Sequence, residues 1–170
     1  SFFFKKVMPV DYIVPSNLYP KKQFKLPNIM TEMEVEQLFQ APLSLQERCV
    51  VGLLYGCGMR ISEVSSLKIT DIDSTNKRIK VEMGKGGKDR FTLLPPTLLE
   101  HLRQYYIAAG KPKEYLFTSP QTQRAFHVRS MQVVVNTAMV KAGFESGRFT
   151  AHTLRHSFAT HMLDQGNNIH

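Results

Sequence analysis

Hydrophobic and polar positions along the chain change period several times, and each change marks an element. Thr31 with Glu34 three residues on forms a capping box; Val35, Leu38 and Phe39 follow at helical spacing until Ala41-Pro42 stops the helix. Ser44 with Glu47 opens a second helix carrying Val50, Val51, Leu53 and Leu54. Gly56-Cys57-Gly58 breaks it, and Ser62 restarts a short one through Glu63 and Val64 to Leu67. The period then switches to two. Arg78-Ile79-Lys80-Val81-Glu82-Met83 alternates as a half-buried strand does, and Arg90-Phe91-Thr92-Leu93-Leu94 returns as its hairpin partner. Ile69 to Ile72 is expected to add a third strand. Helices resume with Leu98, Leu102, Tyr105 and Ala109, closed by Gly110 and Pro112. Another runs from Ser130, with Met131, Val134, Val135, Ala138 and Ala142 inward. The last begins near Ala151 and continues to about Gln165, burying Leu154, Phe158 and Met162, with Gly166 as its stop. The pattern predicts a mainly α chain with one small antiparallel β-sheet at its side, an α+β fold.

The start of the chain fits none of this. Pro9, Pro15 and Pro20 exclude a long helix there, and Phe2-Phe3-Phe4 reads as the last turn of something earlier. Residues 1–25 are therefore expected to be the end of a preceding domain and a linker, with one domain over 26–170. Composition agrees: 42% hydrophobic and 21% charged residues supply a core and exclude wholesale disorder. No run approaches the ~18 apolar residues of a membrane span. Lys5-Lys6 and Pro9 follow the phenylalanines too closely for a signal peptide. Cys49 and Cys57 make neither a C-x-x-C motif nor a disulfide framework, and are expected to be buried thiols of a cytoplasmic protein. Charge alters the picture more. Lys and Arg number 22 against 14 Asp and Glu, a net +8, which points to an anionic partner, most often nucleic acid.

Three segments carry candidate chemistry. In Gly56-Cys57-Gly58-Met59-Arg60-Ile61-Ser62-Glu63 an arginine sits just before a helix, where a guanidinium beside helix N–H groups suits a phosphate; a surface arginine in a helix–helix turn is equally compatible. The tip Gly84-Lys85-Gly86-Gly87-Lys88 lacks P-loop spacing and joins strands, so it reads as a flexible basic turn able to reach a nucleic-acid backbone, or as a solvated one. In His152-Thr153-Leu154-Arg155-His156 the two histidines and the arginine share a helix face. The i, i+4 histidines raise metal binding. But Thr153 stands where a zincin has glutamate, and no carboxylate or cysteine nearby completes a site, so no metal is assigned.

The order of these segments is more specific than any one of them. Leu53 to Glu63, Leu67-Lys68-Ile69-Thr70-Asp71-Ile72-Asp73, Gly84 to Arg90 and His152 to His161 together resemble the tyrosine recombinases, the phage-integrase and Xer-like site-specific DNA recombinases. The resemblance runs from about Leu26 onward. It implies the catalytic core of a DNA breaking-rejoining enzyme, acting in DNA recombination or mobile-element integration through a 3′-phosphotyrosine intermediate. By it, Arg60 and Arg155 are the two catalytic arginines gripping the scissile phosphate, and Lys85 protonates the leaving 5′-hydroxyl. His152 serves proton transfer, and Glu63 buttresses the cluster. Lys88, Arg90 and His156 are expected to contact DNA. No metal or other cofactor is implied. The partner is double-stranded DNA and not a membrane, with a full-length tetramer on two DNA sites and a monomeric fragment.

One departure stands out. The family's nucleophilic tyrosine follows the His-x-x-Arg motif, whereas Tyr12, Tyr19, Tyr55, Tyr105, Tyr106 and Tyr115 all precede it. The expectation is a C-terminally truncated catalytic domain, inactive as it stands. The alternative is a DNA-binding relative or regulator without catalysis.

Overall fold

A computed structural model describes residues 28–82, 89–119, 122, 124–164 and 166. The reading of residues 1–25, and of the hairpin tip with Lys85 and Lys88, lies outside them.

Both capping boxes form. Thr31 caps α1 (Glu32–Gln40) and Ser44 caps α2 (Leu45–Gly56), each taking the N–H of the glutamate three residues on while that carboxylate takes the cap's own N–H. Glu47 does more than cap, because its buried carboxylate also accepts Lys141 Nζ at 2.7 and 2.9 Å. From Cys49 to Leu54 α2 is apolar on every side, as the buried stretch of a central helix must be. Cys49, Val50, Val51, Leu53 and Leu54 are wholly buried. It packs against α4 (Pro96–Ala108), α5 (Val128–Lys141) and α6 (Ala151–Asp164). At Gly52 the approach of α4 is so close that a Cβ would lie 2.6 Å from Leu98 Cδ1.

After the break, α3 is one short turn and a half, Ile61–Ser65. The third strand expected from Ile69 is mostly something else. Ile69–Asp71 is a 3-10 turn, closed as Asp71 accepts the Lys68 N–H at 3.1 Å, and only Ile72–Asp73 remain as β1. β1, β2 (Arg78–Val81) and β3 (Arg90–Leu93) form an antiparallel sheet in that order. The register of β3 on β2 decides which of its side chains turn inward. Val81 faces Arg90 and Ile79 faces Thr92, so Arg90 and Thr92 share the side of the buried Ile79 and Val81. Phe91 and Leu93 point out, with Arg78 stacked over the Phe91 ring at 4.4 Å.

The helix expected from Ser130 starts earlier, at Val128, because the His127 imidazole accepts the Arg129 N–H at 3.1 Å and caps it. α6 also departs from expectation. Leu154 is buried, but Phe158 and Met162 are only partly so, and the polar Thr153 and Ser157 are inside. Ser157 Oγ takes the Met30 N–H at 2.8 Å and donates to the Thr153 carbonyl at 2.9 Å, so this buried hydroxyl is satisfied both as acceptor and as donor. Tyr55 packs edge-on to Phe158, and its hydroxyl bonds His161 Nδ1 at 2.9 Å. Among the described residues no helix is long and apolar enough to cross a membrane.

Candidate active site

The break between α2 and α3 is the base of the site. Gly58 adopts φ +61°, and a Cβ there would sit 2.5 Å from two carbons of the Phe158 ring. Only glycine lets α6 come this near. The Gly58 carbonyl in turn receives a hydrogen bond from Arg155 Nη1, so one residue both admits α6 and aims its arginine.

Arg60 lies at the N-cap of α3 with extended backbone, and Glu63 is three residues on. The Glu63 carboxylate is the hub. Oε2 accepts the Arg60 N–H at 2.7 Å and Oε1 accepts Arg60 Nη1 at 2.9 Å. Arg90 reaches across from β3 and donates to both oxygens in parallel, Nη1 to Oε1 at 2.9 Å and Nη2 to Oε2 at 2.8 Å. Arg155 Nη1 stands 3.8 Å from Oε2. Next to Arg90, Thr92 Oγ1 donates to the Cys57 carbonyl at 2.7 Å and pins the inner face of β3 to the same break.

Three guanidiniums therefore surround one carboxylate, a local surplus of two positive charges. Burial pushes the Glu63 carboxyl up, but the bonds from Arg90, the Arg60 N–H and the Arg60 guanidinium outweigh it and hold the group at about 2. Glu63 is thus ionised at any physiological pH. Arg155 is displaced downward, first by burial and then by the nearby charge of Arg60, with Glu63 opposing. Fixed, partly desolvated guanidiniums with excess positive charge make a receptor for a tetrahedral anion.

The structure brings together Arg60, Glu63, Arg90 and Arg155. His152 is three residues before Arg155 on α6, exposed, and shares with Ile61 the lining of a cavity of about 300 Å³. His156 is exposed as well. A wider groove of about 710 Å³, lined by Arg60, Glu63, Lys68, Lys80 and Tyr115, opens beside the cluster. Arg90, expected to contact DNA, turns inward onto Glu63. The Gly58 carbonyl and Thr92 have no counterpart in the sequence reading; the signal available was strand alternation, which puts Arg90 and Thr92 on one side.

Residues 26–170 match the phage integrase family. A putative integrase/recombinase, y4qK of Sinorhizobium fredii, is 40% identical over 172 residues, covering 99% of this chain and 54% of that protein. Among solved structures, a XerA recombinase superposes with TM-score 0.76 at 31% identity, covering 98% of this chain and 60% of that one. The XerH site-specific recombinase bound to its palindromic difH substrate superposes with TM-score 0.72 at 27% identity, over 85% of this chain and 44% of that one. The chain spans about half the length of the curated relatives it matches. With the motifs in family order, the fold of a recombinase catalytic domain and arginines from α3 and α6 gathered on one carboxylate, this chain belongs to the phage integrase family of tyrosine recombinases.

Proposed function

We propose that this chain is the catalytic core of a site-specific DNA recombinase, which cuts and rejoins double-stranded DNA through a 3′-phosphotyrosine intermediate. The observation that carries the reading is the Glu63 hub, which holds Arg60 while the Gly58 carbonyl holds Arg155 beside it. Attack of a tyrosine hydroxyl on a phosphodiester builds negative charge on the nonbridging oxygens of a pentavalent transition state. Arg60 and Arg155 supply fixed donors where that charge develops. His152 orients the phosphate and relays the proton of the attacking hydroxyl. Lys85 protonates the departing 5′-oxygen, a role that rests on its motif alone. The phosphotyrosine bond stores the energy of the cut bond for rejoining, so the scheme needs no nucleotide or metal. Lys88 and His156 are assigned to the DNA backbone. The attacking tyrosine is taken to follow the His-x-x-Arg motif in the full-length gene product, which works in the cytoplasm as a tetramer across two DNA sites.

Two experiments test this. The 170-residue chain should bind duplex DNA with an affinity that falls steeply with salt, as released counterions require. It should form no covalent adduct. The full-length gene product should become covalently linked to a nicked suicide substrate of its own site, read on a denaturing gel. Arg155→Lys should cut that yield about a hundredfold, because an ammonium lacks the planar two-donor grip. Attachment of the 170-residue chain itself would refute the placement of the nucleophile. A full-length protein that binds its site without ever attaching would establish a DNA-binding relative instead.

A further inference from the structure

Arg90 is the member of the cluster for which this scheme gives no task. It belongs to β3, on the side of the sheet facing α3, and both its Nη atoms are engaged by Glu63. Arg60 supplies two further donors to the same carboxylate. An ionised carboxylate offers about four lone-pair sites. These four bonds fill it. Arg155 is thereby left at 3.8 Å, bonded to the Gly58 carbonyl instead. The Arg60 side chain is 48% exposed, Arg90 and Arg155 are equal at 29%, and Glu63 is 12% exposed, so it is the hydrogen bonding and not exposure that sets Arg90 apart from Arg155.

We propose that Arg90 is a positioning residue for the phosphate clamp: its two-donor pair with Glu63 fixes the carboxylate that orients Arg60 and keeps Arg155 off it, and Arg90 makes no DNA contact. The inference rests on the recombinase reading. Without Arg90, two lone-pair sites on Glu63 would open beside Arg155, which is close enough to take them. Arg155 would leave the Gly58 carbonyl, turn into the carboxylate and present less charge to a phosphate. A direct DNA contact by Arg90 would instead require breaking a parallel, charge-assisted pair, the stronger kind of hydrogen bonding.

The test compares Arg90→Gln and the milder Arg90→Lys with wild type. For the 170-residue chain on a duplex, loss of one phosphate contact would reduce the slope of log K against log salt by about 0.9. Positioning acts through Arg60 and Arg155, so in an Arg60→Gln/Arg155→Gln background Arg90→Gln should leave slope and affinity within about twofold, whereas a direct contact would still lower the slope. Inorganic phosphate binding, followed by NMR of the arginine side chains, should weaken at least about fivefold in both variants. In a Glu63→Gln background Arg90→Gln should add nothing, because it acts through Glu63. In the full-length gene product at saturating protein, cleavage by Arg90→Gln should fall at least about tenfold. That deficit should shrink on a methylphosphonate substrate, whose scissile group is neutral and relies less on the clamp; a folding defect would affect both substrates alike. A lower salt slope with matching affinity loss in the background that lacks Arg60 and Arg155 would make Arg90 a DNA contact and overturn the proposal, as would unchanged phosphate binding in the single variants. A wild-type protein that never forms an adduct would overturn the recombinase reading alone, and the phosphate measurement would still decide the role of Arg90.

Discussion

Replacing Glu63 by glutamine keeps the shape of the hub and removes its charge. Glu63 sits at about 2 in the folded chain against an ordinary 4.5, and its side chain is 12% exposed, so solvent screens it little. A depressed carboxylate contributes stability that is present above its unfolded value and is lost as pH falls toward the folded one. At about 1.4 kcal/mol per unit of pH, the gap from 4.5 to about 2 is worth about 3–4 kcal/mol at neutral pH. Glu63→Gln should therefore lose about 3–4 kcal/mol in urea denaturation of the 170-residue chain at pH 7. The wild-type advantage should shrink between pH 4.5 and 2, since the glutamine of the variant does not titrate. Glu47 and Asp73 are also held below their ordinary values, so the difference between the two proteins, and not the acid limb of either, isolates Glu63. Three guanidiniums without a counterion should also make sulfate stabilise the variant more than wild type. A loss under about 1 kcal/mol, or a difference that stays constant across that pH window, would show that the carboxylate is not the hub the geometry makes it.

Two further outcomes test the frame around the hub. Gly58→Ala puts a Cβ 2.5 Å from the Phe158 ring at a φ of +61°, and the clash and strain together should cost about 2–5 kcal/mol, measured by urea denaturation. A cost under about 1 kcal/mol would mean that α6 is free to retreat. Ser157→Ala strands the buried Met30 N–H and should cost about 1–3 kcal/mol, with faster hydrogen exchange at that amide.

Local signals carried much of the fold. The boxes at Thr31 and Ser44 fixed two helix starts, because caps and partners lie three residues apart and need no tertiary context. The Arg60–Glu63 pair is legible for the same reason. The strand expected from Ile69 failed because an aspartate at its end could close a turn on Lys68, a local competitor that apolar spacing does not register. The start of α5 was misplaced because a histidine cap resembles an ordinary surface histidine. In α6 hydrophobicity pointed to Phe158 and Met162, while the better-buried Ser157 satisfies its hydroxyl through Met30, which is 127 residues away. For Arg90 the sequence records a positive charge and not which carboxylate it pairs with. That information exists only once β3 is laid over α3.

Both of the chain's cysteines are buried, and burial pushes each thiol up to about 12. Buried and protonated at neutral pH, neither offers a thiolate to a reagent in solution, so the folded chain should leave maleimides and iodoacetamide unreacted. Leu93, 78% exposed on the outer side of β3, is next to the pinned Thr92, yet its side chain points away from the hub. A cysteine introduced there would carry a fluorophore or spin label without removing Cys49 or Cys57 from the core. The strand that carries Arg90 thus comes with its own vantage point, from which any movement of the hub when DNA is added can be read in the otherwise native sequence.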